Sequence, residues 1–328
     1  MSSAKLPSRI AGSRRLLTVG DFQKLAEMPA ETEWLRNFDS PHTQRAYKAA
    51  IRDFMAFVGL RQINAFRSIA RAHVIAWRDD LVQRVRKDGQ PLGEDTVRHR
   101  LSALSSLYDY LCDKNAVSHN PCKGVKRPTV HYSEGKTPAI ADRQARKLLE
   151  APPEKTLKGK RDRAILATLL YHGLRRNELC NLRVADYHEQ RSGVPHLKIR
   201  GKGKKIRYVP LHEIAADLID DYLDAAGHAA DASGALFRPF RNSRKGGTLT
   251  SAITPDGVYR IVRDYSSALG FKTKAHAMRA TAATNALSND ADLAKVQTWL
   301  GHKNISTTRL YDRRQSRPED SPTFKVRY

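Results

Sequence analysis

A chain of 328 residues with 40% hydrophobic content is long enough for about two domains, each burying its own core. It has no apolar run of membrane-spanning length, no apolar signal segment between Met1 and Arg15, and no CxxC pair among Cys112, Cys122 and Cys180. That argues against a membrane span, secretion, a disulfide framework and a zinc site, and for a reducing cytoplasm. The 58 Lys and Arg against 34 Asp and Glu leave a formal charge of +24, an excess that repels itself unless a polyanion offsets it. An adhesive basic protein or a basic peripheral membrane protein would carry such charge too. Here, however, the basic residues are interleaved with patterned helices rather than gathered in one tail, which points to nucleic acid.

Residues 1–20 are small, polar and basic and read as a mobile N-terminus. A helical block over 21–115 follows. Ser40-Pro41 supplies an N-cap and a first helical residue, and Ala46, Tyr47, Ala50, Ile51, Phe54 and Phe57 recur behind it at helical spacing. Val74, Ile75, Trp77, Leu81 and Val85 predict a second helix, and Val97, Leu101, Leu104, Tyr108 and Leu111 a third, with Arg98, His99 and Arg100 on its other face. Across 116–140, Pro121, Gly124, Pro128, Gly135 and Pro138 interrupt any helix, and Lys123, Lys126 and Arg127 lie among them. This stretch is either a solvated linker or one that also tracks phosphates.

The second block, 141–312, is mixed. Helical spacing returns at Ala164, Ile165, Ala167, Leu169 and Leu170. Two strands are predicted around His196–Arg200 and Ile206–Leu211, joined by Gly201-Lys202-Gly203-Lys204-Lys205 as a hairpin. Thr254-Pro255 opens a helix with Val258, Ile261, Val262, Tyr265 and Leu269 inward and Arg260 and Arg263 on its polar side. Three short helices follow, from about His276, over Ala291–Leu300, and from about Lys303 through Tyr311. Residues 313–328 form a tail in which Phe324, Val326 and Tyr328 alternate as in a short strand; it docks either on its own domain or on a neighbouring subunit.

Three segments of the second block bear chemistry. In Gly173-Leu174-Arg175-Arg176-Asn177-Glu178-Leu179 a glycine ends one helix and an arginine opens the next, a natural seat for phosphate. Alone, Arg175 reads as a surface arginine paired with Glu178. In His276-Ala277-Met278-Arg279 the i, i+3 spacing puts an imidazole and a guanidinium on one helix face, a pattern common by chance. In Leu300-Gly301-His302 through Tyr311 a glycine ends a helix, and the tyrosine follows the histidine by nine residues; with twelve tyrosines in the chain, that residue alone signifies little.

Together and in this order, GLRxxEL, the GKGKK hairpin, HxxR, LGH and Tyr resemble the tyrosine recombinase (phage integrase) family. The resemblance covers about residues 140–312 as the catalytic domain and, more loosely, extends to the Ser40/Thr43/Tyr47 helix and Asn120-Pro121 of an N-terminal core-binding domain. It implies a mainly α fold: a helical N-terminal domain, and a mainly helical catalytic domain with a small antiparallel β-sheet, the two closing as a C-shaped clamp on duplex DNA. It also implies that Arg175 and Arg279 hold the scissile phosphate, His302 hydrogen-bonds it, Lys202 protonates the departing 5′ oxygen, His276 takes the tyrosine's proton, and Tyr311 attacks phosphorus. Glu178 would orient the cations from behind. No metal or other cofactor is implied. The implied partners are double-stranded DNA with specific sites, three further copies of the chain in a homotetramer on that DNA, and accessory DNA-bending or second recombinase proteins.

The chemistry calls for these residue types. Fixed guanidiniums stabilise the charge that gathers on phosphorus-bound oxygens. A free tyrosine, with a pKa of about 10, is a weak nucleophile and needs cations and a base. An alkoxide leaves poorly, so an acid at Lys202 should contribute about 10²–10⁴-fold. Ala277-Met278, Asn289-Asp290 and the basic Asp312-Arg313-Arg314 depart from common members of the family and leave the subgroup open between Xer-like resolvase, mobile-element integrase and transposon recombinase. A type IB topoisomerase shares the chemistry, a repressor would lack part of the catalytic set, and a metal nuclease would need clustered carboxylates. Candidate DNA contacts are Arg98, Arg100, Lys123, Lys126, Arg127, Lys204, Lys205, Arg260 and Arg263.

Overall fold

The computed structural model describes residues 30–61, 63–86, 88–129, 138–187, 189–201, 205–240 and 249–312, with 323 and 326. The expected N-terminus (1–20), Lys202 and Lys204 of the hairpin, and all of the 313–328 tail but Thr323 and Val326 lie outside the described residues. The chain divides into two compact units, Met1–His131 and Tyr132–Tyr328.

The first unit is helical: α1 (Ala30–Arg36), α2 (Pro41–Val58), a 3₁₀ turn (Ile63–Ser68), α3 (Arg71–Gln83) and α4 (Glu94–Asp113). Ser40 caps α2 as its sequence predicts, accepting from the Thr43 amide at 3.3 Å. Val97, Leu101, Leu104, Leu107, Tyr108 and Leu111 line the buried face of α4 against Phe54, Phe66 and Trp77. Val85 does not extend the α3 stripe. The helix stops at Gln83, and the chain doubles back through Gly89 (φ 76°), pairing Val85 with Pro91 and leaving Val85 exposed. Phe57 also faces outward.

Residues 116–129 of the expected linker belong to this unit, while 138–140 belong to the second. Asn120 is buried and donates to the Ser105 carbonyl (3.0 Å) and to Asp109 (2.7 Å), while its own side-chain oxygen accepts from the Cys122 amide (2.8 Å). These bonds replace the lost helical ones, and Cys122 and Val125 enter the core.

The second unit comprises α5 (Asp142–Glu150), α6 (Leu157–His172), α7 (Arg176–Cys180), α8 (Val184–Tyr187), β1 (Glu189–Arg191), β2 (Val194–Arg200), β3 (Ile206–Pro210), α9 (Glu213–Ala226), α10 (Pro255–Ala268), α11 (Ala275–Ser288), α12 (Leu293–Leu300) and α13 (Ile305–Arg309). Helix α6 is buried on nearly every face and is the axis on which α9 and α11 pack. The three strands form an antiparallel sheet in the order β1-β2-β3, with Leu197 opposite Val209 and Ile199 opposite Arg207. The mainly α architecture with a small antiparallel sheet is the one the sequence implies. The Gly201 amide donates to the Lys205 carbonyl at 2.7 Å and closes the base of the hairpin. Among the described residues no helix is long and apolar enough to cross a membrane.

Candidate active site

The site is assembled where the ends of α6 and α12 meet. Helix α6 terminates at Gly173, whose φ of 58° and close packing both require glycine: a Cβ there would lie 2.8 Å from Leu300 Cδ2 and 3.2 Å from the Trp299 ring. Two residues on, Arg175 is the N-cap of α7. Its amide donates to Glu178 Oε2 and its Nη1 to Glu178 Oε1, both at 2.8 Å. Arg207 reaches the same carboxylate from β3, donating to Oε1 at 2.9 Å and Oε2 at 2.8 Å. Burial alone would raise the Glu178 carboxyl, but the Arg207 fork and then Arg175 hold it down to about 2. It therefore stays charged.

Helix α11 contributes His276 and Arg279. The Arg279 side chain is fully buried, and among the described residues no carboxylate pairs with it. Its Nη1 donates to the Gly173 carbonyl and its Nη2 to the Leu300 carbonyl, each at 2.6 Å. These carbonyls sit at the C-terminal ends of α6 and α12, where the helix dipoles are negative and favour a cation. Burial, and then the Arg175 charge, still lower its pKa to about 10, and its Nε has no hydrogen-bond partner among the described residues.

The two histidines are surrounded by this excess of positive charge. The His276 ring keeps an exposed edge, yet the protein on its other side, then Arg279 and Arg175, lower its pKa. His302 follows the α12 cap Gly301. Burial first, and then Arg279 and Arg175, push it down to about 4. Its Nδ1 is 2.8 Å from the hydroxyl of the buried Thr308, leaving Nε2 as its other hydrogen-bonding atom. Burial and the neighbouring guanidiniums thus disfavour protonation of both rings.

Tyr311 follows the short helix α13. Its ring is buried on Ala280, Ala283, Leu287, Val296 and Leu300, and it stacks with His302 at 6.0 Å between centroids. The Tyr311 amide donates to the Thr308 carbonyl (2.9 Å), and the Thr284 hydroxyl donates to the Tyr311 carbonyl (3.2 Å). Arg175, Glu178, His276, Arg279, His302 and Tyr311 thus form one electrostatically coupled group. The hairpin is rooted beside it: a Cβ on Gly201 would be 3.8 Å from Glu178 Oε1.

Sequence reasoning missed Arg207, Thr308 and Thr284. Only Arg207 left a readable trace, being an arginine two residues before Val209 and so on the inward side of an alternating strand. Of the expected DNA contacts, Lys123, Lys126 and Lys205 are exposed. Arg98 donates to the Pro128 carbonyl, Arg100 to Asp53 and Arg127 to the Ser102 hydroxyl. Arg260 pairs with Asp256 and Arg263 with Asp264 on the exposed side of α10.

Residues 139–317 match the Phage integrase family, and residues 34–115 match the phage integrase N-terminal SAM-like domain. The tyrosine recombinase XerC of Pelobacter propionicus is 35% identical over 285 residues, covering 86% of each chain. That of Halalkalibacterium halodurans is 32% identical over 288 residues, covering 83% of this chain and 86% of its own. In fold, the chain is similar to a lambda integrase dimer bound to a COC′ core site (TM-score 0.63, 15% identity, 88% of this chain and 80% of that one). It is likewise similar to the XerH site-specific recombinase bound to difH substrate (TM-score 0.58, 22% identity, 83% and 76%).

Proposed function

The chain belongs to the phage integrase family of tyrosine recombinases, and from that premise we propose which of its residues transfer the DNA strand. It is a site-specific DNA recombinase that acts on double-stranded DNA as a homotetramer. Tyr311 Oη attacks the scissile phosphorus, the bond from phosphorus to the 5′ oxygen breaks, and Lys202 protonates that oxygen. The 3′ phosphate is then esterified to Tyr311. A 5′ hydroxyl from the partner site reverses the step, and the second pair of strands is exchanged after a Holliday junction. Arg175 and Arg279 bind the phosphate oxygens, His302 adds a hydrogen bond, and His276 accepts the phenolic proton. Glu178 positions Arg175. The reaction takes place in the cytoplasm, on the nucleoid.

One observation carries this reading: among the described residues, three guanidiniums and one carboxylate gather about two imidazoles, whose pKa values their charge lowers, beside the Tyr311 ring. That charge excess is costly in the free protein and is offset by a phosphodiester whose charge grows in the transition state. The test uses a nicked suicide substrate built on the site that footprinting finds in DNA flanking the gene. A covalent protein–DNA band is expected in EDTA and without nucleotide, because fixed guanidiniums supply the stabilisation. Strict dependence of the cleavage step on Mg²⁺ would sink the reading.

With the same substrate, Lys202→Ala should cleave about 10²–10⁴-fold more slowly, the usual contribution of a general acid. A 5′-bridging phosphorothiolate should restore most of that rate, since a thiolate leaves without protonation. Rescue of Lys204→Ala or Lys205→Ala instead would move the acid to another lysine of the hairpin.

A further inference from the structure

The turn that ends α12 has three successive carbonyls, and each accepts from a different arginine. Arg207 Nε donates to the Trp299 carbonyl at 3.1 Å, Arg279 Nη2 to that of Leu300 at 2.6 Å, and Arg175 Nη2 to that of Gly301 at a longer 3.5 Å. Gly301 has a φ of 66°, and a Cβ there would approach Arg207 Cδ and Nη1 to 3.3 Å, so the arginine fills the space the missing side chain leaves. The three guanidiniums repel one another. Left to themselves they would spread, and the two proposed to grip one phosphate would lose their spacing.

We propose that Arg207 is a positioning residue that fixes Arg175 relative to Arg279 by locking Glu178 against the carbonyl turn at Trp299–Gly301. The inference rests on the assignment of Arg175 and Arg279 as the phosphate clamp. Each oxygen of Glu178 accepts one bond from Arg175 and one from Arg207. The planar fork of Arg207 therefore sets the plane of the carboxylate, and that plane in turn sets the Arg175 guanidinium. Arg207 is anchored at its other end to the carbonyl next to the one that holds Arg279. One side chain thus measures the distance between the two arms of the clamp. A lysine would keep the charge and lose the measurement.

Single-turnover cleavage at saturating enzyme tests this. Arg207→Gln and Arg207→Lys should bind a half-site within about twofold of the parent yet cleave about 10²-fold more slowly, the scale expected when a catalytic group is misplaced by about 1 Å. Combining Arg207→Gln with Glu178→Gln should slow cleavage no further than the slower single variant, because both break one chain of contacts. The 5′-bridging phosphorothiolate should leave the loss in place, since the acid is not what has moved. Parental rate in Arg207→Lys, a double variant slowed by the product of the single losses, or full recovery on the phosphorothiolate would each overturn the assignment. If Arg207→Gln does not unfold cooperatively, Arg207→Lys carries the same comparisons. Tyr311→Phe, run alongside, shows separately whether the adduct forms through Tyr311, so a failure of the recombinase reading is distinguishable from a failure of the positioning role.

Discussion

Tyr311→Phe is expected to bind its DNA site with parental affinity, unfold at the parental temperature, and give no covalent protein–DNA band on a denaturing gel. The substitution removes one oxygen. The ring stays on Ala280, Ala283, Leu287, Val296 and Leu300, and the backbone keeps its bonds to Thr308 and Thr284, so stability should change by no more than about 1 kcal/mol. Cleavage should fall by about 10⁴-fold or more, since no other group takes over a covalent step. The alternative nucleophiles are Tyr265 and Tyr259 of α10. The Tyr265 hydroxyl donates to Asp162 at 3.1 Å and lies 3.3 Å from Lys158 Nζ, and burial, followed by the Asp162 charge, raises its pKa. Tyr259 lies near Arg263 on α10. A shifted band from the Phe variant would pass the role to one of these two.

How far sequence alone could reach depended on whether the signal was local. Helices with an apolar stripe and a cap, such as α2 behind Ser40 or α10 behind Thr254, were legible because both signals lie within one turn of the chain. Strand β1 was not: Glu-Gln-Arg has no alternation, and it pairs only because β2 offers it an edge. Helix α9 has an apolar stripe in Ala215, Ile219, Tyr222 and Leu223, but acidic residues interleaved with it blur the signal. At the site, the motif residues could be named because their order matches a family. What each touches could not, because those partners are remote in sequence. Arg175 was foreseen beside Glu178, three residues away. That Arg279 rests on carbonyls of Gly173 and Leu300, 106 and 21 residues distant, is a property of the folded chain. In sequence, Gly173 and Gly301 signal only helix ends. Packing adds a second reason for each, since a Cβ would strike Leu300 at Gly173 and crowd Arg207 at Gly301.

Arg279→Met should leave the protein folded and reduce cleavage by about 10³-fold or more, the cost of losing a fixed donor to the developing oxyanion. Two opposed effects on stability are of similar size. The guanidinium's pKa is lowered from 12.5 to about 10 by burial and by the Arg175 charge, so its charge costs about 3 kcal/mol to hold there. Methionine, of similar length, removes that cost and fills the space. Against this, the Gly173 and Leu300 carbonyls lose their donors, at about 1–3 kcal/mol each. The expected net change therefore lies between about 1 kcal/mol of stabilisation and about 3 kcal/mol of destabilisation, read as a shift of the unfolding midpoint at pH 7. Arg279→Lys restores a charge but not the fork, reaching one carbonyl at a time, so it should recover at most about tenfold of the lost rate. A Met variant that no longer folds would make Arg279 chiefly a tie between two helix ends. A Met variant that folds and still cleaves near the parental rate would take it out of the phosphate clamp. Stable but inactive is the result that fits a cation held at a cost until the phosphate arrives.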